Sequence, residues 1–344
     1  MSAISRIEQQ RLPIARYRFT SIADEDLPLP HYSGSLLRGV FGAALRRSTC
    51  MTGLPKCSEC PLYRTCPYPS IFESPPRETP LGQRFTEVPN PYVIEPPDFG
   101  PTIIKRGETL RFGMVLVGSD TLKNLPLITH AWQRALSHGL GRSRARATLT
   151  GIEWCGEDAR SEKVLDQETG TVIPHDASVQ IPPCPASLKG LNLAFVTPLR
   201  LQSNGKPLRV RELTVRALLL AAVRRSTLMM NLHGGVDPEV EISTLLESSA
   251  SITDERGGLR WVDWTRYSSR QQQEMTLGGV VGSWKLHGDV EALWPWLWLG
   301  QWLHLGKNAT MGMGSYTLRL DSAGESSAQS ENLPQGASQG IEPE

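Results

Sequence analysis

The sequence contains no apolar run long enough to cross a membrane. A spanning helix needs about 20 consecutive, mostly apolar residues, and no stretch of the 344 residues approaches that length. The first residues, MSAISRIEQQRLPIARYRF, lack the apolar core of a secretory signal. These absences predict a cytoplasmic protein that is soluble and has no contact with membranes.

Lysine is scarce, and neither sign of charge is in excess. Of the 36 basic residues 28 are arginine, and the net charge is +1. Such a balance alone gives no sign of nucleic-acid binding. Arginine presents a planar fork of donors that suits phosphate and stacks on bases, although a GC-rich genome produces the same bias. The positions of the arginines are therefore more informative than their number.

The periodicity of apolar residues predicts two α+β domains. Each half reads as strand, helix, strands, helix and strand, an order that fits a ferredoxin-like (RRM-like) unit. We predict a first domain over 1–155 with an insertion at about 48–100, a linker or hairpin over 156–190, and a second domain over 191–321. Residues 322–344 are rich in Ser, Gly, Gln and Glu, which predicts a disordered tail.

Several finer features follow from the same reading. Residues 119–139 read as one helix, and two strands are expected around Gly278-Gly279. Gly39 and Gly42 lower the propensity of the first helix, which predicts that they permit a close approach. The four tryptophans between 294 and 302 lie among Leu and Pro, which favours core packing over a base-stacking platform.

Four of the six cysteines lie within 17 residues, in the pattern C-x6-C-x2-C-x5-C. Clustered cysteines in a cytosolic chain favour a metal over disulfides. Cys50, Cys57, Cys60 and Cys66 can wrap one tetrahedral ion, with Zn²⁺ as the default; a [4Fe–4S] cluster uses the same ligation, and four metal-free thiols remain an alternative. Four protein ligands leave no position for a water, so the metal is expected to be structural.

Glycines with basic neighbours precede two predicted strands. In HGLGRSRARATL, strand spacing would place Arg142, Arg144 and Arg146 on one face as a phosphate-binding stripe. HLGKNATMGMGSYTL carries Lys307 among glycines, which let a backbone approach a ligand and expose its N–H groups to anions. Neither follows the G-x-G-x-x-G fingerprint, and each alone is also compatible with a tight turn. The glycines of the second stretch are Gly306, Gly312 and Gly314.

Several collinear segments resemble CRISPR-associated RAMP-superfamily endoribonucleases, which process precursor CRISPR RNA. They are LLRGVFGAALRR followed by the cysteines and YPSIFE, then GLGRSRAR, FVTPLRLQ, DWTRYSSRQQQEMTLGGVVGSW and HLGKNATMGMGSY, over about 33–319. The resemblance implies paired ferredoxin-like domains with repeat RNA over the cleft and the glycine-rich loop. It also implies metal-independent cleavage that yields guide RNA, and association with other CRISPR effector subunits.

The implied reaction is attack of a ribose 2′-OH on the adjacent phosphorus, giving a 2′,3′-cyclic phosphate and a 5′-OH without a cofactor. It needs in-line positioning, proton transfer and charge neutralisation. Histidine is the natural proton carrier, so His304, beside the glycine-rich loop, is the first candidate, His31 the second, and Lys307 would neutralise charge. His304 could equally be a structural residue that ends a Trp-rich helix.

Further arginines are candidate phosphate contacts: Arg38, Arg46 and Arg47 on the first helix, and Arg266 and Arg270 around Tyr267. Each could also be a solvated surface residue.

The chain departs from the family pattern in the first helix. Many members carry a catalytic histidine within or beside that helix, whereas GVFGAALRR contains none. A non-catalytic RNA-binding subunit of a CRISPR effector complex is therefore the main alternative. A DNA-binding regulator built around the four cysteines is a second alternative, opposed by the lack of a helix-turn-helix pattern, and an RRM-like ligand-binding scaffold is a third.

Overall fold

In the part of the chain that the structure describes, each half carries one larger antiparallel sheet with packed helices, and three two-stranded sheets accompany them. The structure is a computed structural model that describes residues 7, 10–76, 88–97, 99–158, 160–186, 188–238, 240–268 and 273–320, with the backbone only for 266–268 and 273–276. The predicted tail, residues 322–344, therefore lies outside the described residues. Among the described residues, no helix has the length and apolarity that crossing a bilayer requires.

The first half carries a five-stranded sheet. Its elements in chain order are β1 (Arg11–Leu12), β2 (Ile14–Ala23), β3 (Leu27–Leu29), α1 (Gly34–Thr49), α2 (Pro67–Phe72), β4 (Tyr92–Glu95), β5 (Thr102–Ile104), β6 (Thr109–Val117), α3 (Ser119–Lys123), α4 (Leu125–His138), β7 (Ala147–Cys155), β8 (Ser161–Lys163) and β9 (Val179–Gln180). The sheet order is β4-β6-β2-β7-β8, with antiparallel neighbours throughout. β1 pairs with β9, and β3 pairs with β5.

The second half carries a four-stranded sheet in the order β13-β14-β10-β15. Its elements are β10 (Gly190–Leu199), β11 (Gln202–Ser203), β12 (Lys206–Pro207), α5 (Val215–Met229), α6 (Ile242–Ser248), β13 (Thr253–Ser268), β14 (Gln273–His287), α7 (Trp294–Leu303) and β15 (Tyr316–Leu320). In the first sheet, β2 lies between β6, which precedes α4, and β7, which follows α4. In the second sheet, β10 lies between β14, which precedes α7, and β15, which follows α7. Both halves therefore follow the element order that the periodicity predicts.

Aromatic stacking fills the core of the first half. Phe19 on β2 stacks on Phe112 of β6 with ring centroids 5.2 Å apart, and Phe41 of α1 stacks on Trp132 of α4 at 5.0 Å. Alternate residues of β2 point to this side because side chains alternate along a strand. Burial of four large rings is the main apolar contribution that holds α1 and α4 on the sheet.

The two halves share apolar packing rather than meeting only through loops. Ile14, Val93, Val115 and Val117 lie on the face of the first sheet away from α1, and they are buried in the same cluster as α5 and α7. All four tryptophans of α7 are buried, which confirms that they pack in the core. The second half therefore covers the sheet face that the helices of the first half leave open.

Two details of the predicted elements are wrong. The single helix expected over 119–139 is broken between α3 and α4 at Asn124, because Pro126 has no N–H and is tolerated only in a first helical turn. Gly278 and Gly279 lie inside β14 rather than in a turn. A Cβ on Gly278 would lie 2.4 Å from the Trp261 ring, so this glycine admits a close neighbour.

Gly39 and Gly42, one turn apart on α1, should respond oppositely to alanine. A Cβ on Gly42 would lie 2.2 Å from the Phe72 ring, whereas a Cβ on Gly39 would meet nothing within 4 Å. We expect Gly39→Ala to raise the free energy of unfolding by about 0.5–1 kcal/mol through helix propensity. Gly42→Ala should lower it by about 1–3 kcal/mol through overpacking. Urea unfolding measures both, and equal stabilisation by the two variants would contradict the packing described.

Candidate nucleic-acid interface and active site

The glycine-rich loop, residues 304–315, lies at the joint between the two halves. Gly312 has a φ of 86° and approaches β4 so closely that a Cβ would lie 2.4 Å from the carbonyl oxygen of Ile94. A Cβ on Gly34, at the start of α1, would lie even closer to the carbonyl oxygen of Met311. The close approach predicted for Gly306, Gly312 and Gly314 is made to the protein's own backbone, and their contact with RNA stays a prediction.

Tyr32 connects the segment before α1 to the glycine-rich loop through a hydrogen bond. Its hydroxyl donates to the Met311 carbonyl at 2.7 Å, and its ring lies 5.3 Å from that of Trp264 on β13. His31 is exposed next to it, with its ring edge-on to Phe99 at 4.4 Å. Lys307 is exposed on the glycine-rich loop. Two predicted catalytic residues, His31 and Lys307, thus belong to segments that touch each other.

The end of β10 holds the same loop from the other side. The Thr197 hydroxyl donates to the Gly312 carbonyl at 2.6 Å and accepts from the Ser315 N–H at 2.8 Å. The N–H of Lys307 donates to the carbonyl of Arg200 at 2.9 Å. These bonds leave the glycine-rich loop little freedom, so the Lys307 side chain projects from a fixed backbone.

A basic and aromatic cluster adjoins this loop, and the sequence analysis did not identify it. Arg209 lies over the Trp261 ring at 3.7 Å, and Trp261 donates to Asp263 at 2.8 Å. Burial and the neighbouring charge of Arg209 lower the pKa of Arg200, whose guanidinium donates to the Gly278 carbonyl at 2.7 Å. Arg200 lies in FVTPLRLQ, Trp261 and Asp263 lie in RWVDW, and Arg209 lies outside both segments, so nothing in their spacing pairs them.

His304 is not at an open mouth of the glycine-rich loop, which corrects its predicted position. Its side chain is 0% exposed, and Nε2 lies 3.2 Å from Oε1 of Glu95. The same oxygen accepts from Nε of Arg16 at 3.1 Å, and Arg16 donates to the Gln301 carbonyl at 2.7 Å. Because α7 ends at Leu303 and the chain then turns with φ 55°, the ring faces the first sheet instead of solvent.

The Arg16–Glu95–His304 cluster joins both halves through half-buried charge. Burial would raise the pKa of Glu95, but the Arg16 guanidinium and the His304 ring together hold that pKa below its ordinary value. Arg16 also packs over the Trp302 ring at 4.5 Å. His304 therefore contacts residues that position the loop and does not face a space where phosphate could bind.

The remaining predicted arginines are dispersed. The stripe of Arg142, Arg144 and Arg146 does not form, because Arg142 and Arg144 lie in the turn before β7 and Arg146 lies between that turn and the strand, so strand alternation does not apply to them. Arg146 pairs with Glu25 at 2.9 Å, and Arg38 lies over the Phe72 ring at 4.4 Å. The side chain of Arg266 and all of Arg270 lie outside the described residues. RNA contact by any of these arginines stays a prediction.

The four clustered cysteines come together at the other end of α1. Cys50, Cys57, Cys60 and Cys66 all line one cavity of about 20 Å³ between α1 and α2. Within the described residues, no three His, Cys, Asp or Glu side chains already stand at metal-ligand spacing. The site is separated from the glycine-rich loop by the 16-residue length of α1.

Two family models cover most of the chain. Residues 12–177 match AF_1859_N, described as an N-terminal domain, and residues 193–316 match the CRISPR-associated endoribonuclease Cas6. The predicted resemblance to CRISPR-associated repeat-processing endoribonucleases is thereby confirmed. The residues that match the Cas6 model include the glycine-rich loop and the basic and aromatic cluster.

Solved Cas6 structures share the fold at low identity. Thermus thermophilus Cas6 is 14% identical with a TM-score of 0.50, covering 90% of this chain and 99% of that one. A Cas6 product complex is 13% identical with a TM-score of 0.52, covering 88% and 99%. The partial Cas6-RT-Cas1–Cas2 complex is 14% identical with a TM-score of 0.52 and covers 93% of this chain.

The chain spans 48% of the matched chain in that partial complex and 30% in a further Cas6-RT-Cas1–Cas2 complex. No curated protein matches the chain in sequence. At these identities the likeness to solved structures establishes the fold.

Glu95→Gln should lower the free energy of unfolding by on the order of 2 kcal/mol at neutral pH, because Arg16 and His304 would face a neutral amide in a half-buried setting. The folded pKa of Glu95 lies below the unfolded value of about 4.3. The carboxylate therefore makes its full contribution to the free energy of unfolding above about pH 4.3, and this contribution is lost as the pH falls through the folded pKa.

Urea unfolding of wild type and variant at neutral and acid pH measures this difference, which should shrink in acid. Glu153→Gln is the matched control, because its pair with Arg18 at 3.4 Å is more exposed and should contribute little. Equal losses in the two variants, or a difference independent of pH, would rule out the proposed role of Glu95.

Proposed function

We propose that the protein is a metal-independent endoribonuclease that cleaves CRISPR repeat RNA in the cytoplasm and yields mature guide RNA. The match of residues 193–316 to the Cas6 family model supports the RNA-cleaving class. The docking of the His31 segment onto the glycine-rich loop carries the assignment of the active site, because it brings a proton carrier and a cation to one joint.

The proposed reaction is attack of the 2′-OH on the adjacent phosphorus. The bond from phosphorus to the 5′-oxygen breaks, and the products carry a 2′,3′-cyclic phosphate and a 5′-OH. His31 would transfer a proton at the 2′-OH or at the leaving 5′-oxygen, since an exposed imidazole can act as acid or base near neutral pH. Lys307 would neutralise the charge that develops on the phosphorane oxygens.

RNA would lie across the joint, in contact with both halves. The strand order of both sheets supports two ferredoxin-like (RRM-like) units. An RNA-binding cleft between two such units requires both of them. Arg200 and Arg209 place positive charge beside Lys307, and Trp261 offers a ring near them. Hairpin RNA is held chiefly through its backbone, 2′-OH groups and shape, while unpaired bases stack on aromatic rings or on Arg.

Repeat RNA and its precursor are the proposed partners, with other CRISPR proteins as further partners. Solved relatives include a Cas6 bound to product and a Cas6 joined to reverse transcriptase and Cas1–Cas2. The sequence alternative, a subunit that binds repeat RNA without cutting it, uses the same surface and differs only in the outcome of the cleavage assay.

His31→Ala should lower the single-turnover cleavage rate by about 10²–10⁴-fold, the usual contribution of a general acid or base, with repeat binding nearly intact. The substrate is the repeat RNA of the neighbouring CRISPR array, in EDTA, compared with a strand that carries a 2′-deoxy group at the scissile nucleotide. Wild type should cut only the all-RNA strand. Lys307→Ala should also slow cleavage.

His130→Ala is the matched control, because His130 is exposed on α4, away from the joint. Cleavage by His31→Ala at the wild-type rate would remove His31 from the mechanism. Tight binding without cleavage by the wild type would instead identify a non-catalytic subunit. Cleavage of the 2′-deoxy strand would contradict 2′-OH attack.

A further inference from the structure

The segment between α1 and α2, residues 51–66, is a loop without a hydrophobic core of its own. None of its side chains is buried, and those that are partly covered are only Cys57, Cys60, Tyr63 and Cys66. Apolar side chains such as Met51, at 87% exposure, point to solvent. A short segment that buries so little apolar area is ordered in proteins by a cross-link or a metal.

Backbone turns direct three of the thiols inward. The N–H of Cys60 donates to the Cys57 carbonyl at 3.0 Å, that of Tyr63 to the Cys60 carbonyl at 3.0 Å, and that of Cys66 to the Leu62 carbonyl at 2.8 Å. The fourth, Cys50, is the residue directly after α1. All four cysteines therefore line the cavity on the inward side of the segment.

The cavity between these thiols has the size and surroundings of an ion site. Its volume of about 20 Å³ is close to the minimum that a single water occupies. The thiols would need to move inward to reach the zinc–sulfur distance of about 2.3 Å, which the absence of buried side chains in 51–66 permits.

A cation fixed by α1 lies beside the thiols. Arg46 lines the same cavity and donates to the carbonyls of Leu54 and Pro55 at 2.5 and 3.0 Å. A Zn²⁺ ion with four thiolates carries net negative charge, which a neighbouring guanidinium stabilises. If the same four cysteines formed disulfides, they would carry no negative charge for the Arg46 guanidinium to stabilise.

We propose that Cys50, Cys57, Cys60 and Cys66 bind one structural Zn²⁺ ion, which takes the place of a hydrophobic core in residues 51–66. Four thiolates complete a tetrahedral shell, so no position is left for water or RNA. The ion joins the end of α1 to the start of α2, because Cys50 follows Thr49 and Cys66 precedes Pro67. This inference is independent of the proposed function.

Metal content of the purified full chain tests the proposal. We expect one zinc per chain by mass spectrometry, released when a mercurial reagent blocks the thiols and read with a zinc indicator. The Cys57→Ser/Cys60→Ser double variant should carry no stoichiometric zinc, and chelator should lower the Tm of wild type but not of the variant. Cys155→Ser, which alters an isolated thiol at the end of β7, should retain the zinc.

Cobalt exchange gives a second measurement that does not rely on the variant folding. Co²⁺ in the wild-type chain should show the thiolate charge-transfer band and the intense visible bands of a tetrahedral site. A chain without metal, or with cysteines that alkylation and mass spectrometry find in disulfides, would overturn the proposal. Iron with inorganic sulfide would overturn it in favour of a cluster.

Discussion

The contact between the start of α1 and the glycine-rich loop is the constraint on which the joint depends. A Cβ on Gly34 would meet the Met311 carbonyl oxygen across this contact, and a Cβ on Gly312 would meet the Ile94 carbonyl oxygen of β4. With both side chains absent, the Tyr32 hydroxyl reaches the Met311 carbonyl. The exposed residues His31 and Lys307 take their positions from this backbone contact.

Charged side chains also stabilise the contact between the two halves. The Arg16–Glu95–His304 cluster joins the end of α7 to the first sheet. Arg16 and Glu95 are half-buried, His304 is buried, and each side-chain pair in the cluster is distant in sequence. Breaking a half-buried pair leaves an uncompensated charge, so the cluster opposes separation of the two halves. The glycine-rich loop begins at His304 and is therefore held at its first residue by this cluster and at its middle by α1.

The sequence was a good guide to element order and a poor guide to side-chain pairing. Apolar periodicity placed β2, α1, β6 and α5 because those patterns are local, and the tryptophans of α7 lie in the core as expected. His304 was placed wrongly because its partner Glu95 is 209 residues away.

The arginine stripe failed for a different reason. Glycine followed by alternating arginines resembles the start of a strand, but Gly139 and Gly141 both adopt positive φ and close a turn that ends only at Ala145. Arg200 and Arg209 follow β10 in the chain and Trp261 lies on β13, so they become neighbours only when β14 pairs with both strands, which no local spacing encodes.

The packing of the second half against the first sheet also bears on the order of folding. Ile14, Val93, Val115 and Val117 belong to a cluster that is completed only by residues beyond 178. On the ribosome the first half emerges with this apolar face uncovered, and it stays so until β10, α5 and α7 have been made. The nascent chain thus carries an aggregation-prone surface for most of its synthesis, and the mature protein should unfold in one cooperative step rather than half by half.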